Sequence, residues 1–167
     1  MAKITLQGNP FTTTGELPAV GSQAPDFKLT DNKLADRSLA DFKGRKKLLS
    51  IVPSLDTKVC AASTKKFNDL NKDYGDTVFL IISADLPFAQ TRFCDTQNTK
   101  NIVTLSGMRD RNFAKDYGVL IQEGPFAGIM ARAIVVLDEN DKVIYTQLVE
   151  EIADEPDYDK ALAALAA

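Results

Sequence analysis

A cysteine at position 60 closes the stretch Pro53-Ser54-Leu55-Asp56-Thr57-Lys58-Val59-Cys60, between an apolar run at 48–52 and a helix-patterned segment at 61–74. The pattern reads as strand, short loop and helix, with the loop delivering Cys60 to the first helical turn. Amide groups in that turn lack intrahelical acceptors, and the positive end of the helix dipole lies beside them. Both favour a thiolate over a thiol, and the thiolate is the reactive form. Thr57, three residues earlier, shares a helical face with Cys60 and offers a hydroxyl that can donate to the sulfur or accept from the O–H of a ligand. Pro53 ends the strand, carries no N–H and walls the sulfur from water. The plain alternative is a small buried hydrophobe, as most free cysteines are. The Pro-x-x-x-Thr-x-x-Cys spacing, in this setting, favours the reactive reading.

Composition narrows the ways such a cysteine could be activated. The chain has 167 residues, no histidine and two cysteines, Cys60 and Cys94. Ser-His and Cys-His machinery is therefore excluded, and activation falls to backbone, hydroxyl and cation. A zinc site would need carboxylates to complete it, and the sequence shows no such cluster. The candidate cation is Arg132, which interrupts the apolar run at 129–136. A buried cation needs a charged or hydrogen-bonded partner, and a thiolate would be one. Its planar fork could touch the sulfur and a ligand oxygen together. Periodicity leaves the ordinary alternative open, because alternation could equally place Arg132 on a solvated sheet face. Cys94, next to Phe93, likewise reads as a second thiol or as a buried hydrophobe.

Pro53, Thr57 and Cys60 resemble the active-site pattern of the peroxiredoxins. The segment Ser83-Ala84-Asp85-Leu86-Pro87-Phe88-Ala89-Gln90-Thr91-Arg92-Phe93-Cys94 is similar to the second signature of one branch of that family, the bacterial thiol peroxidases. The resemblance spans essentially the whole chain. It implies a thioredoxin-like fold, a peroxidatic Cys60, and a resolving Cys94 that captures the Cys60 sulfenic acid as an intramolecular disulfide. It also implies hydroperoxide as substrate, thioredoxin as reductant, no metal or organic cofactor, and a homodimer paired near Phe88, Pro125, Phe126 and Ile129. The strand arginine of the family matches Arg132. Phe88 would line the peroxide pocket or the subunit interface, and Arg92 would form a surface salt bridge.

The elements that must hold these residues follow in order. A β-rich hairpin is expected at 3–6 and 11–13 around Gly8-Asn9-Pro10, then an extended segment at 24–29, a polar loop at 30–37 and a turn capped by Ser38. The run at 48–52 is apolar throughout, which suggests a sheet covered on both faces. Helix 61–74 should face inward at Val59, Ser63, Phe67, Leu70 and Tyr74. A strand at 77–83 follows, then a helix opening at Asp85-Leu86-Pro87 and carrying Cys94. The remainder reads as strand 102–105, helix 111–117, antiparallel strands 119–121 and 130–137, strand 142–149, and a last helix from Pro156. The acidic positions at 150–159 look like a solvated rim. The expectation is one α/β domain, 1–167, with a mixed central sheet, helices on both faces and an N-terminal β-hairpin.

Hydrophobic residues at 44%, charged residues at 26% and a net charge of −3 describe ordinary soluble composition with no basic face for nucleic acid. No apolar run approaches a membrane span. The first twenty residues lack a signal-peptide core, so a cytoplasmic protein is expected. Two other functions compete with peroxide reduction. A thiol–disulfide oxidoreductase would carry Cys-x-x-Cys, where this chain has Cys60-Ala61-Ala62-Ser63. A redox-sensing module would change shape without turnover.

Overall fold

The strand that leads to Cys60 is buried along its whole length, and the rest of the molecule is layered around it. In the computed structural model, which describes residues 1–167, β1 (Lys3–Leu6) and β2 (Asn9–Thr12) form an antiparallel hairpin. Its turn is Gln7-Gly8, with φ of 51° and 82°. The turn therefore sits earlier than the expected Gly8–Pro10, and positive φ at both residues is what a tight two-residue hairpin requires. A seven-stranded sheet follows, in the order β4-β3-β7-β6-β5-β8-β9. It comprises β3 (Leu29–Thr30), β4 (Asp36–Arg37), β5 (Lys47–Ile51), β6 (Val78–Ser83), β7 (Val103–Ser106), β8 (Ala133–Leu137) and β9 (Val143–Leu148). β5, β6 and β7 run parallel, while β8, β9, β3 and β4 join antiparallel, which makes the sheet mixed as expected.

Helices α1 (Lys58–Leu70), α2 (Pro87–Gln97), α3 (Asn112–Asp116) and α4 (Tyr158–Ala166) complete the order. Strict alternation divides the core. Leu49, Ile51, Leu80, Ile82, Ala133 and Val135 join Phe113 and Phe42 on one face. On the other, Leu48, Phe79, Ile134 and Val136 pack under Phe67 of α1 and Tyr158, Ala161 and Leu165 of α4. Phe67 is fully buried and meets Phe79 and Tyr158 edge-on at centroid distances of 5.9 and 5.1 Å. Truncating a ring in such a setting costs about 3–5 kcal/mol, so this contact fixes the axis of α1 and, with it, the start of the helix.

Several expected boundaries move, each for a visible reason. The buried stripe of α1 is Cys60, Ser63, Thr64, Phe67 and Asn68, so Val59 and Leu70 fall beside it and Cys60 falls on it. β5 begins at Lys47, whose fully buried ammonium pairs with Asp141 and donates to Arg45 O at 3.0 Å. The expected strand 130–137 begins only at Ala133. Upstream, Leu120 and Met130 form an isolated antiparallel bridge, and Ala131 N donates to Val119 O at 2.8 Å. Residues 24–28 stay outside the sheet because the Asp26 carboxylate takes the amides of Phe27 and Leu39.

Candidate active site

Cys60 lies at the carboxyl edge of the parallel strands, where open α/β sheets place their sites. Val52 prolongs β5 by donating to Ile82 O at 2.9 Å, and Pro53 is buried at the exit. Thr57 is the N-cap of α1, with extended dihedrals of −95° and 149°. Ala61 N donates to Thr57 O at 2.9 Å, so the amides of Lys58, Val59 and Cys60 precede the first helical bond, and the cysteine is the third residue of that opening turn. Cys60 has no exposed surface. Val52, Leu55 and Ile81 enclose it, with Phe93 and Ile102 at the margin. The Thr57 hydroxyl faces the loop rather than the sulfur, donating to Ser54 O at 3.0 Å.

Arg132 is 2% exposed, which removes the solvated-face alternative. Ala131 and Ala133 belong to the core on one face, so Arg132 points to the opposite face with Ile134, towards α1. The β5–β8 register pairs Ile51 with Ala133, and continuing it by one residue sets Arg132 against Val52, which touches Cys60. Its Nε donates to Ile152 O at 3.0 Å, while Nη1 is buried and has no partner. No hydrogen bond joins it to Cys60 or Thr57. Close by, burial, followed by the hydrogen bond to Glu155 and that carboxylate's charge, pushes the Tyr158 phenol well up, against the opposing pull of Arg132. Tyr158 and Glu155 had no place in the sequence reading of the site beyond core and rim.

Cys94 stands apart in the last turn of α2. It lines a polar cavity of ≈ 570 Å³ with Asp31, Arg37, Thr99, Ile102 and Thr104. Burial pushes its thiol up and the Asp95 charge adds to this, while the hydroxyls of Thr99 and Thr104 oppose it. Both cysteines are free. Ile102 lines the Cys94 cavity and also packs on the Cys60 cluster, so it stands between the two environments.

Other expected site residues divide differently. Phe88 is 64% exposed and, with Asp56, Arg92 and Phe93, lines a surface cavity of ≈ 640 Å³. Arg92 forms no ion pair there, contrary to the expected salt bridge; the nearest carboxylate-bearing lining residue, Asp56, has no bridge either. Asp85, read from the sequence as part of a helix start, caps nothing, because Leu86 is the N-cap of α2. Its carboxylate instead reaches back to the Cys60 loop, accepting from Ser54 Oγ at 2.7 Å and Leu55 N at 2.8 Å. No group of three or more metal-ligating side chains occurs in the molecule. No helix is long and apolar enough to cross a membrane.

Residues 19–162 match the Redoxin family model. Thiol peroxidases of Mycobacterium bovis and Mycobacterium tuberculosis are each 53% identical over 167 residues, covering all of this chain and all of theirs. Among solved structures, a peroxiredoxin-like protein from Aquifex aeolicus superposes with a TM-score of 0.93 at 39% identity, covering 99% of this chain and 96% of that one. Thiol peroxidase from Chromobacterium violaceum gives a TM-score of 0.92 at 26% identity, over 98% of this chain and 95% of that one.

Proposed function

The chain belongs to the redoxin family and is a peroxidase of the peroxiredoxin type, and from that premise we propose that it reduces hydrogen peroxide and alkyl hydroperoxides through Cys60. The Cys60 thiolate attacks one peroxide oxygen, the O–O bond breaks, and the second oxygen leaves as hydroxide or alkoxide and takes a proton from water. Cys60 is left as a sulfenic acid. The observation that carries this reading is a fully buried cysteine among first-turn amides, on the same sheet face as a buried arginine with a free Nη1–H. Donors fixed before the reaction stabilise the negative charge that develops on the leaving oxygen. In this reading the amides of the Cys60 turn and Arg132 supply them, Thr57 holds the turn in place through its hydrogen bond to Ser54 O, and Pro53 keeps water from the sulfur.

Cys94 resolves the sulfenic acid. Its sulfur attacks Cys60 Sγ, an S–S bond forms as the S–O bond breaks, and the Cys94 proton leaves with the oxygen as water. A disulfide requires Cα atoms within roughly 7 Å, and the separate surroundings of the two thiols call for local unwinding of α1, α2 or both. Thioredoxin then restores both thiols, and no metal or organic cofactor takes part. The chain acts as one domain, residues 1–167, in the cytoplasm, and as a homodimer. Exposed Leu86 and Phe88, together with half-buried Phe126 and Ile129, leave apolar surface that supports that pairing. Sedimentation should show a species larger than the 18.3 kDa chain.

Free thiols counted before and after one equivalent of hydrogen peroxide test the chemistry. Two thiols should fall to none, with mass spectrometry returning one peptide linked through Cys60 and Cys94. Two surviving thiols would overturn the peroxidatic assignment, and one surviving thiol the resolving assignment.

A further inference from the structure

The parallel pairing of β5 with β6, Ile51 opposite Ile82, brings the two loops that follow these strands to the same edge of the sheet. One carries Cys60 into α1, and the other starts α2 and leads to Cys94. Asp85 joins them. Its carboxylate accepts from Ser54 Oγ at 2.7 Å, Leu55 N at 2.8 Å and Ser83 Oγ at 2.8 Å. Its own carbonyl accepts from Ser106 Oγ at 2.6 Å, which fixes it to the end of β7. On the Cys60 side, Ser54 O receives Thr57 N and Thr57 Oγ1 at 3.2 and 3.0 Å, and Ser54 Oγ receives Asp56 N at 3.1 Å. The position of Ser54 thus sets the N-cap of α1, three residues before Cys60. On the Cys94 side, Ser83 Oγ receives Nε2 of Gln90 at 3.1 Å. Gln90 is fully buried, one turn before Cys94 on α2, and also donates to Leu105 O at 2.9 Å.

We propose that Asp85 is the positioning residue of the Cys60 site and the junction of a hydrogen-bonded relay, Gln90–Ser83–Asp85–Ser54–Thr57, that holds the two cysteine-bearing helices in their peroxide-reactive arrangement and must open before the disulfide forms. The proposal rests on the reading that Cys60 attacks and Cys94 resolves. Its physical basis is that a carboxylate is an acceptor on every lone pair, so one group can clamp two hydroxyls and an amide in charge-assisted bonds. That clamp has opposite effects on the two chemical steps. It preorganises the donors around the sulfur for attack on peroxide. It also opposes the unwinding needed to bring Cys94 onto the sulfenic acid, because its bonds to Ser54 and Leu55 cross from one moving segment to the other.

Asp85→Asn tests the point with nearly constant shape. The amide keeps one acceptor oxygen and turns an NH₂ towards groups that themselves donate. In single-turnover stopped flow with hydrogen peroxide, sulfenic-acid formation should slow at least tenfold, as expected for a displaced reacting group. Conversion of the sulfenic acid to disulfide, followed as the second phase, should quicken about tenfold, the effect of losing one charge-assisted hydrogen bond. Ser54→Ala, which removes one donor and keeps the carboxylate, should shift both steps in the same senses by less, and it serves where Asp85→Asn folds poorly. Asp138→Ala, which removes the acceptor of Asn140 N and Lys142 N at 2.9 Å in the β8–β9 turn at the opposite end of the sheet, controls for general destabilisation and should leave both phases unchanged. Rates that stay at wild type, or that move in the same direction, overturn the proposal. The parent reading has its own check, since a peroxide burst that persists in Cys60→Ser overturns it whatever Asp85→Asn does.

Discussion

The two thiols are held at opposite ends of their helices. Cys60 is the third residue of α1, among amides without intrahelical acceptors. Cys94 is in the last turn of α2, where its own carbonyl already accepts from Asn98 N and from Thr99 N at 3.1 Å. Helix dipoles favour negative charge at the first position and disfavour it at the second. Cys60 is sealed in an apolar cluster under Ile81, whereas Cys94 borders a polar cavity. Burial therefore differs in kind as well as degree. Around Cys60 it excludes bulk water while leaving preset donors, and around Cys94 it joins with Asp95 to keep the thiol protonated. Burial alone does not rank the two cysteines: the proposed nucleophile is the more buried one, and its assignment rests on its place in the opening turn of a helix.

The sharpest way to break this contrast is to remove each sulfur. Cys60→Ser should abolish peroxide consumption. Cys94→Ser should consume about one equivalent per chain and then stop, with a sulfenic acid that a dimedone adduct detects by mass spectrometry. Equal first turnovers for wild type and Cys60→Ser would make the two environments equivalent and the contrast empty.

A smaller loss tests whether Arg132 belongs to the Cys60 side. Its fork has one N–H engaged with Ile152 O and a free Nη1. Lysine keeps the charge and loses the second point of contact. First-turnover rates for Arg132→Lys should fall on the order of a hundredfold, as for removal of one preorganised donor, or about 2.7 kcal/mol. Arg132→Ala should fall at least as far. Wild-type rates in both, with unchanged circular dichroism, would reduce Arg132 to a structural cation tied to Ile152.

What the sequence made legible follows the range of the interactions involved. β5 and β6 were readable because they are apolar on both faces, and α1 because Val59, Ser63, Phe67, Leu70 and Tyr74 recur at near-helical spacing after a proline-terminated strand, although the fold buries Cys60, Thr64 and Asn68 in place of Val59 and Leu70. Pro53, Thr57 and the amides of the first turn are local to Cys60 in sequence and could be read, whereas Ile81, Phe93 and Ile102 reach it only through the fold. Arg132 was half legible. An apolar run flags the cation, but its burial depends on Ala131 and Ala133 facing the other core, and that register is fixed by pairing with β5. Asp85 was illegible, because its partners at Ser54 and Leu55 lie 31 and 30 residues away and meet it only once β5 and β6 pair in parallel. Lys47 lay outside the apolar run read at 48–52 for the same reason, its partner Asp141 being supplied by a distant turn. The surroundings of Cys94 are just as non-local, drawing on β3–β4 as well as α2 and β7.

The smallest expected effect sharpens the comparison on the Cys94 side. The thiol of Cys94 is raised above its ordinary 9.0 by burial first and by the Asp95 charge, with Thr99 and Thr104 pulling the other way. In Cys60→Ser, where Cys94 is the sole thiol, the pH midpoint of alkylation by iodoacetamide should therefore lie above 9. The linkage has a definite sign. A group whose folded pKa is raised favours the folded state while protonated, so this contribution to stability is fully present below the unfolded pKa and is lost as pH rises through the folded one. Thermal melts of the same variant should thus fall more steeply above pH 9 than those of a variant that also carries Cys94→Ala. The individual causes separate by substitution. Asp95→Asn removes a repelling charge at the exposed end of α2 and should lower the midpoint. Thr104→Val removes a stabilising hydroxyl and should raise it. Because Asp95 is exposed and screened, the Asp95→Asn shift should shrink in 1 M salt while the Thr104→Val shift persists. A Cys94 midpoint at or below 9 would show that its cavity does not restrain the thiol, and the distinction drawn between the two helix ends would then rest on Cys60 alone.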